Sequence, residues 1–355
     1  MLVALLGDTH FGARNDHSAF HDYFEKFYRD VFFPYLEENG IDTIVQFGDL
    51  FDRRKYVNFS TLARTKNYFF EPLAQKNLKM HVFVGNHDTF YKNTNAVNSP
   101  ELLLDSYPNV QVYSEPTDIK LGETDITLLP WVCSDNYERC IKHINETPAQ
   151  ILFGHLELAG FEMHKGAIND HGQFENALLS KFDIVCSGHF HHKSSSGNIH
   201  YLGTPYEMSW SDYNDHRGFH VFDTDTRSLE FVRNPFVMYN KIHYDDSDAG
   251  DSSDVLGGDF SNYKDTFVKV VVRQKTNPFW FDLFIQNLER AGVVDLQVVE
   301  DHFNLNLEDD SDIVSEAEDT LTFLRKVVDQ IETTVPKKSL DNFLTQLYTE
   351  ALYAE

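Results

Sequence analysis

Cysteine is scarce: 3 in 355 residues, at Cys133, Cys140 and Cys186, with no CxxC spacing and no even set. That argues against a disulfide framework and fits reduced thiols in a cytoplasmic protein. Basic residues are also few, with Lys and Arg at 30 against Asp and Glu at 56, a formal net charge of −26. Long apolar runs are missing. The first, over residues 1–6, is broken by Gly7-Asp8 and is too short for a signal peptide or a membrane span. No repeat recurs at a spacing of roughly 20–50 residues, and no low-complexity tract interrupts the chain. What is present is a core-building composition, 41% hydrophobic and 14% aromatic, which excludes a disordered or fibrous chain. The length suits two or three domains.

The acid is uneven. Residues 236–355 hold 24 acidic and 10 basic side chains, and residues 1–235 hold 32 and 20. Phosphate backbones bind cationic surfaces, so this balance argues against non-specific nucleic-acid binding. A nucleic-acid substrate would need metal ions or a basic partner to offset the field.

Short apolar runs at 2–6, 43–47, 80–84, 126–129, 150–153 and 182–186 read as strands. Helical patterns at 20–38, 60–75 and 137–144 lie between them. This alternation predicts a layered α/β domain over 1–235, with a β-rich stretch at 199–232. The acidic run 245–259 reads as a solvated loop or linker. A strand at 266–273, a helix over 278–291 and a strand at 293–300 predict a small second domain, 236–307. A second acidic hinge opens 308–355. There Ser315 and Glu318 fit a capping box, and apolar stripes after it predict two amphipathic helices.

The chemistry lies just past the strands. Gly7-Asp8-Thr9-His10, Gly48-Asp49-Leu50-Phe51-Asp52, Gly85-Asn86-His87-Asp88, Gly154-His155 and Gly188-His189-Phe190-His191 each close an apolar run. Glycine permits a sharp turn and close approach of a cation. Asp, His and the Asn carbonyl are ligands for borderline divalent ions. Alone, an Asp-x-His is ordinarily a turn, and a lone histidine is ordinarily a core residue. Together, Asp8, His10, Asp49, Asn86, His155, His189 and His191 are too many for one ion and suit two. Arg53, Arg54 and Lys55 follow the second motif and read either as a phosphate-tracking patch or as a solvated basic turn. Tyr56 could stack on bases, whereas burial is the expected role of Phe59.

The five motifs in this order resemble the calcineurin-like metallophosphoesterases. More narrowly, Gly48–Asp52, Leu129-Pro130-Trp131, residues 201–205, the β-α-β unit and the helical end look like the SbcD-type double-strand-break-repair nucleases, phage recombination endonuclease subunits among them. The resemblance implies a β-sandwich flanked by helices, with a small α+β cap that guides DNA and a C-terminal helical pair. It implies two divalent ions, manganese first and magnesium as the alternative. Asp8, His10 and His191 would hold one, Asn86, His155 and His189 the other, and Asp49 would bridge. His87 would act on the substrate, with Asp88 orienting its ring. Asp52 stands where some members have a second catalytic histidine, and it cannot donate a proton in the same way. The implied activity is exo- and endonucleolytic cleavage of DNA, beside an SMC-like ABC ATPase bound through residues 313–353. A homodimer through residues 68–73 and 102–104 is expected, with no membrane contact and a cytoplasmic location, the host's for a phage protein. The rival readings are a small-substrate phosphoesterase, such as a nucleotidase or protein phosphatase, and a catalytically silent scaffold.

Overall fold

The structure is a computed structural model, and it describes residues 1–164, 167–300, 337 and 340. Apart from residues 337 and 340, the expected third region, with its capping box and most of its helical stripes, lies outside the described residues.

In chain order the strands are β1 (Leu2–Leu6), β2 (Thr43–Gln46), β3 (Lys79–Phe83), β4 (Val110–Tyr113), β5 (Thr117–Leu121), β6 (Thr124–Leu129) and β7 (Ile151–His155). They continue as β8 (Glu162–His164), β9 (Ala167–Ile168), β10 (Ile184–Gly188), β11 (Ser194–Ser196), β12 (Ile199–Tyr201), β13 (Gly218–Asp223) and β14 (Leu229–Arg233). The last three are β15 (Tyr239–Asp245), β16 (Phe267–Gln274) and β17 (Asp295–Glu300).

Two six-stranded sheets form, ordered β14-β13-β1-β2-β3-β4 and β11-β12-β10-β7-β6-β5. The central strands of both are parallel. Alternate residues split the core. Val3, Leu5, Val45 and Phe47 from the first sheet meet Ile126, Leu128, Phe153 and Cys186 from the second. On the other face of the first sheet, Ala4, Leu6, Ile44 and Val82 pack under helices rich in Phe and Tyr. Behind the second sheet, Leu129, Leu152 and Val185 pack with Cys140 and Ile144 of the helix Tyr137–Glu146. The mixed α/β sandwich is the expected fold class.

Two helices depart from a regular spiral for the same reason. Residues 18–38 run as Ser18–Phe27, a wider π turn over Tyr28–Phe32, then Phe33–Glu38. Residues 59–75 repeat this, with a π turn over Lys66–Phe70 before Glu71–Gln75. Pro34 and Pro72 stand just past the two turns and have no N–H to give, so the ladder widens ahead of each.

Tyr68, Phe69, Phe70 and Leu73, expected at a dimer surface, are buried in the core under the first sheet. Leu102, in the helix Ser99–Leu104, is 70% exposed.

The strands β15, β16 and β17 form a separate parallel sheet covered by the helix Pro278–Ala291. Val268, Val270, Val272, Phe281, Phe284 and Leu288 make its own core. Run 245–259 is more than a solvated linker. It carries a short helix, Ser252–Leu256, capped by Asp251, and Val255 and Leu256 pack on that core. Asp246 is buried and accepts from Asn277 N at 2.9 Å and Thr276 Oγ1 at 2.9 Å, holding the turn before the long helix. Among the described residues no helix is long and apolar enough to cross a membrane.

Candidate metal centre

The parallel strands β1, β2, β3, β7 and β10 deliver their carboxyl ends to one edge of the sandwich. There Asp8, His10, Asp49, Asn86 and His155 are all buried. His155 Nδ1 donates to the Phe47 carbonyl at 2.7 Å, which turns Nε2 toward Asn86 Oδ1, 2.9 Å away. His189 Nδ1 reaches the same oxygen at 2.9 Å. His10 Nε2 and His191 Nε2 lie 3.0 Å apart. Donor atoms of Asp8, His10 and His191 cluster on one side, and those of Asp49, His155 and His189 on the other. Asp49 Oδ2 stands between them, 3.7 Å from His10 Nε2 and 3.5 Å from His155 Nε2.

The backbone is strained to achieve this. His10, Asp49 and His189 have φ of 41°, 49° and 85°, a region that costs a side-chain-bearing residue energy and persists where the fold enforces it. Gly48 has φ 84°, and a Cβ there would sit 2.7 Å from His155 Nδ1. A Cβ on Gly188 would collide with Asp8 Oδ1.

Electrostatics explain what the pocket accepts. Burial opposes charge on His155, but the Asp49 and Asp8 carboxylates outweigh it and lift its pKa to about 9. For His10 burial is likewise outweighed, by Asp52, Asp49 and Asp8, and its pKa is also about 9. Burial, with help from Asp49, pushes Asp8 up to about 7. Asp49 is buried too, yet His155, His87 and His10 keep it ionised well below the usual range. Burial and the neighbouring His155 lower His189 to about 3, so it presents a lone pair. Carboxylate oxygens, imidazole nitrogens and the Asn86 amide oxygen thus converge on two points and attract positive charge. That donor set fits a pair of divalent cations.

His87 has its backbone N–H on Asp49 Oδ1 at 2.7 Å and its ring Nδ1 on the Asp52 carbonyl at 2.6 Å. Its ring centroid lies 4.9 Å from that of His10. Asp88 does not orient that ring. Its carboxylate turns the other way and accepts from Leu50 N and Gly85 N at 2.9 Å each, pinning the second loop to the third. The Asp52 side chain faces His10 Nδ1 at 3.4 Å. Arg53 spends its guanidinium on Asp16, Asn15 and Tyr56, which makes it a brace. Arg54 and Lys55 line an adjacent cavity with Phe59, Leu62, Phe90 and Leu102. Phe59, expected to be buried, is 89% exposed.

Sequence reading missed Arg217. It is buried, donates to the His191 carbonyl and to Thr204 Oγ1, and pairs with Asp212 at 2.6 Å and Asp215 at 2.9 Å. No local pattern marks it, because its role depends on a fold contact with the fifth motif.

The profile of the Calcineurin-like phosphoesterase family matches residues 1–193. Exonuclease subunit 1 of Enterobacteria phage T4 is 34% identical over 360 aligned positions, 99% of either chain. The SbcD component of the SbcCD nuclease of Staphylococcus epidermidis is 27% identical over 157 positions, 41% of this chain and 37% of that one. With five motif loops converging on one sheet edge and a family match across more than half its length, this chain belongs to the calcineurin-like phosphoesterases, a family built around a dinuclear metal centre.

Proposed function

We propose that this chain is a metal-dependent DNA nuclease, cleaving phosphodiesters as the nuclease subunit of a recombination or repair complex. The observation that carries the reading is the convergence of six donor side chains around Asp49, with His87 beside them. The names of the two relatives, one an exonuclease and the other a nuclease, support the substrate class.

Asp8, His10 and His191 would hold one ion, and Asn86, His155 and His189 the other, with Asp49 shared. Bound there, two divalent ions supply Lewis acidity toward the phosphoryl oxygens and a hydroxide nucleophile at neutral pH. Manganese is the proposed ion. The chain's own contribution is orientation and proton handling. Phe47 O fixes the tautomer of His155, and Asp52 O fixes that of His87. With Nδ1 occupied, His87 exchanges its proton through Nε2, toward the leaving oxygen. Arg54 and Lys55 would hold flanking phosphates.

Two partner surfaces go with this reading. On the cavity face Phe59 and Leu102 are exposed and Leu62 is half-buried, which supports a homodimer through the nuclease domain. Residues 308–355 are proposed to dock on an SMC-like ATPase, and a cytoplasmic location is proposed with them. The test is cleavage of labelled single- and double-stranded DNA by the purified chain in manganese, beside p-nitrophenyl phosphate. DNA cleavage is expected; hydrolysis of the monoester alone would overturn the proposal.

A further inference from the structure

Loop 89–98 follows His87 and is unusually well fastened for a surface loop. Thr89 pairs with Asn98, and Phe90 N donates to Val97 O at 2.9 Å. Asn95 is buried and donates to Trp131 O at 2.9 Å and Ser114 O at 3.3 Å. Asn98 is buried and donates to Asn95 O at 2.9 Å. Asp135 N donates to Asn93 O at 3.1 Å, tying the tip to the next loop.

This rigid frame holds two aromatic rings out in water. Phe90 is 40% exposed and Tyr91 51%, and their ring centroids stand 4.8 Å apart, edge to face. Lys92 beside them is exposed. Four residues reach at most about 14 Å, so Tyr91 stays within about four stacked nucleotides of His87. An aromatic pair fixed in place, flanked by a cation and next to a centre for phosphodiesters, matches a flat π-faced ligand with an attached phosphate.

We propose that Phe90 and Tyr91 form a stacking platform for an unpaired nucleobase within about four nucleotides of the scissile phosphate, with Lys92 on the phosphate adjoining that base. The proposal rests on the nuclease reading above. Phe90 lines the neighbouring cavity and props the Tyr91 ring, and Tyr91, outside that cavity, takes the base. The site therefore favours single-stranded or frayed ends over a base-free diester.

The full-length chain in manganese is given a short labelled single-stranded oligonucleotide and, separately, glycerophosphocholine, a small diester with neither base nor aromatic ring. The readout is the ratio of kcat/KM for the two. In Tyr91→Ala the ratio should fall roughly 5- to 100-fold, chiefly through KM for the oligonucleotide. Tyr91→Phe should restore it, because the ring is kept. An oligonucleotide with abasic positions should make the native chain behave as the alanine variant does. An unmoved ratio in Tyr91→Ala overturns the platform, as does an equal loss on both substrates. A fall in solution mass in Tyr91→Ala overturns it in favour of a protein contact. If the native chain cleaves only the small diester, the nuclease reading itself fails.

Discussion

His87 is oriented by Asp52 through the main chain: its ring Nδ1 lies 2.6 Å from the Asp52 carbonyl oxygen. The side chain of Asp52 serves His10 instead. In the proposed mechanism Asp52 thereby supports the proton donor through its carbonyl and a metal ligand through its carboxylate. His87→Ala should lower single-turnover cleavage by about 10²–10⁴, with metal content and DNA affinity near native. Asp52→Asn leaves the carbonyl in place, so it should act through His10 and raise the manganese needed for half-activation by roughly 10- to 100-fold. Full activity in His87→Ala would remove the proton-transfer role, and lost metal would make His87 a ligand.

Asp88 should behave as a structural residue. It ties Leu50 and Gly85 together from a buried position. Asp88→Ala leaves those two donors without a partner, at about 1–3 kcal/mol each. The urea midpoint should fall clearly, and metal binding should weaken as the second and third loops part. A native midpoint with only the rate reduced would reinstate a role toward the His87 ring.

Asp49 faces both donor clusters, so its loss should be felt at both. Asp49→Ala should release two ions per chain, while His10→Ala should weaken one. Metal analysis at saturating manganese decides this; one ion per native chain sinks the two-ion arrangement.

The exposed face beside the centre gives a further test. Leu102 is 70% and Phe59 89% exposed, and both line one cavity. Leu102→Asp places a charge on that face without touching the core. A dimer mass in light scattering should fall to that of a monomer. A native monomer at micromolar concentration would defeat the dimer.

The metal loops were legible because their signal is local: a glycine followed at once by a ligand, after an apolar run. The reason for Gly188 was not, since only the fold brings Asp8 against it. Central strands were read within about two residues, while the edge strands β4 and β5 were missed. In β5, Thr117, Asp118 and Lys120 dilute the apolar pattern, as an edge allows. Pro34 and Pro72 were visible, but their effect on the helix ladder depends on neighbours that hold the rod together. Residues 68–73 looked like an interface because aromatic stripes look alike whether they meet a sheet or a partner. The acidic run hid Asp246, whose partners Thr276 and Asn277 lie thirty residues on.

Glu207 supplies a pH test away from the metal loops. It is buried and accepts from Met238 N at 2.6 Å and Tyr239 N at 3.0 Å through one oxygen, which secures the start of β15. Burial raises its pKa to about 7, against 4.5 for an ordinary glutamate, although the two N–H donors oppose that shift. A raised carboxyl binds its proton more tightly in the folded chain. Its contribution to stability is therefore complete below pH 4.5 and is lost as pH rises through about 7. The loss is on the order of 3 kcal/mol. Glu207→Gln keeps an oxygen acceptor for both N–H groups and cannot ionise. Its stability relative to the native chain should rise steadily between about pH 5 and 7 and level off above that. Urea unfolding of both proteins across that range measures the difference directly. A constant difference at every pH would mean that Glu207 is already ionised in the folded protein at pH 5.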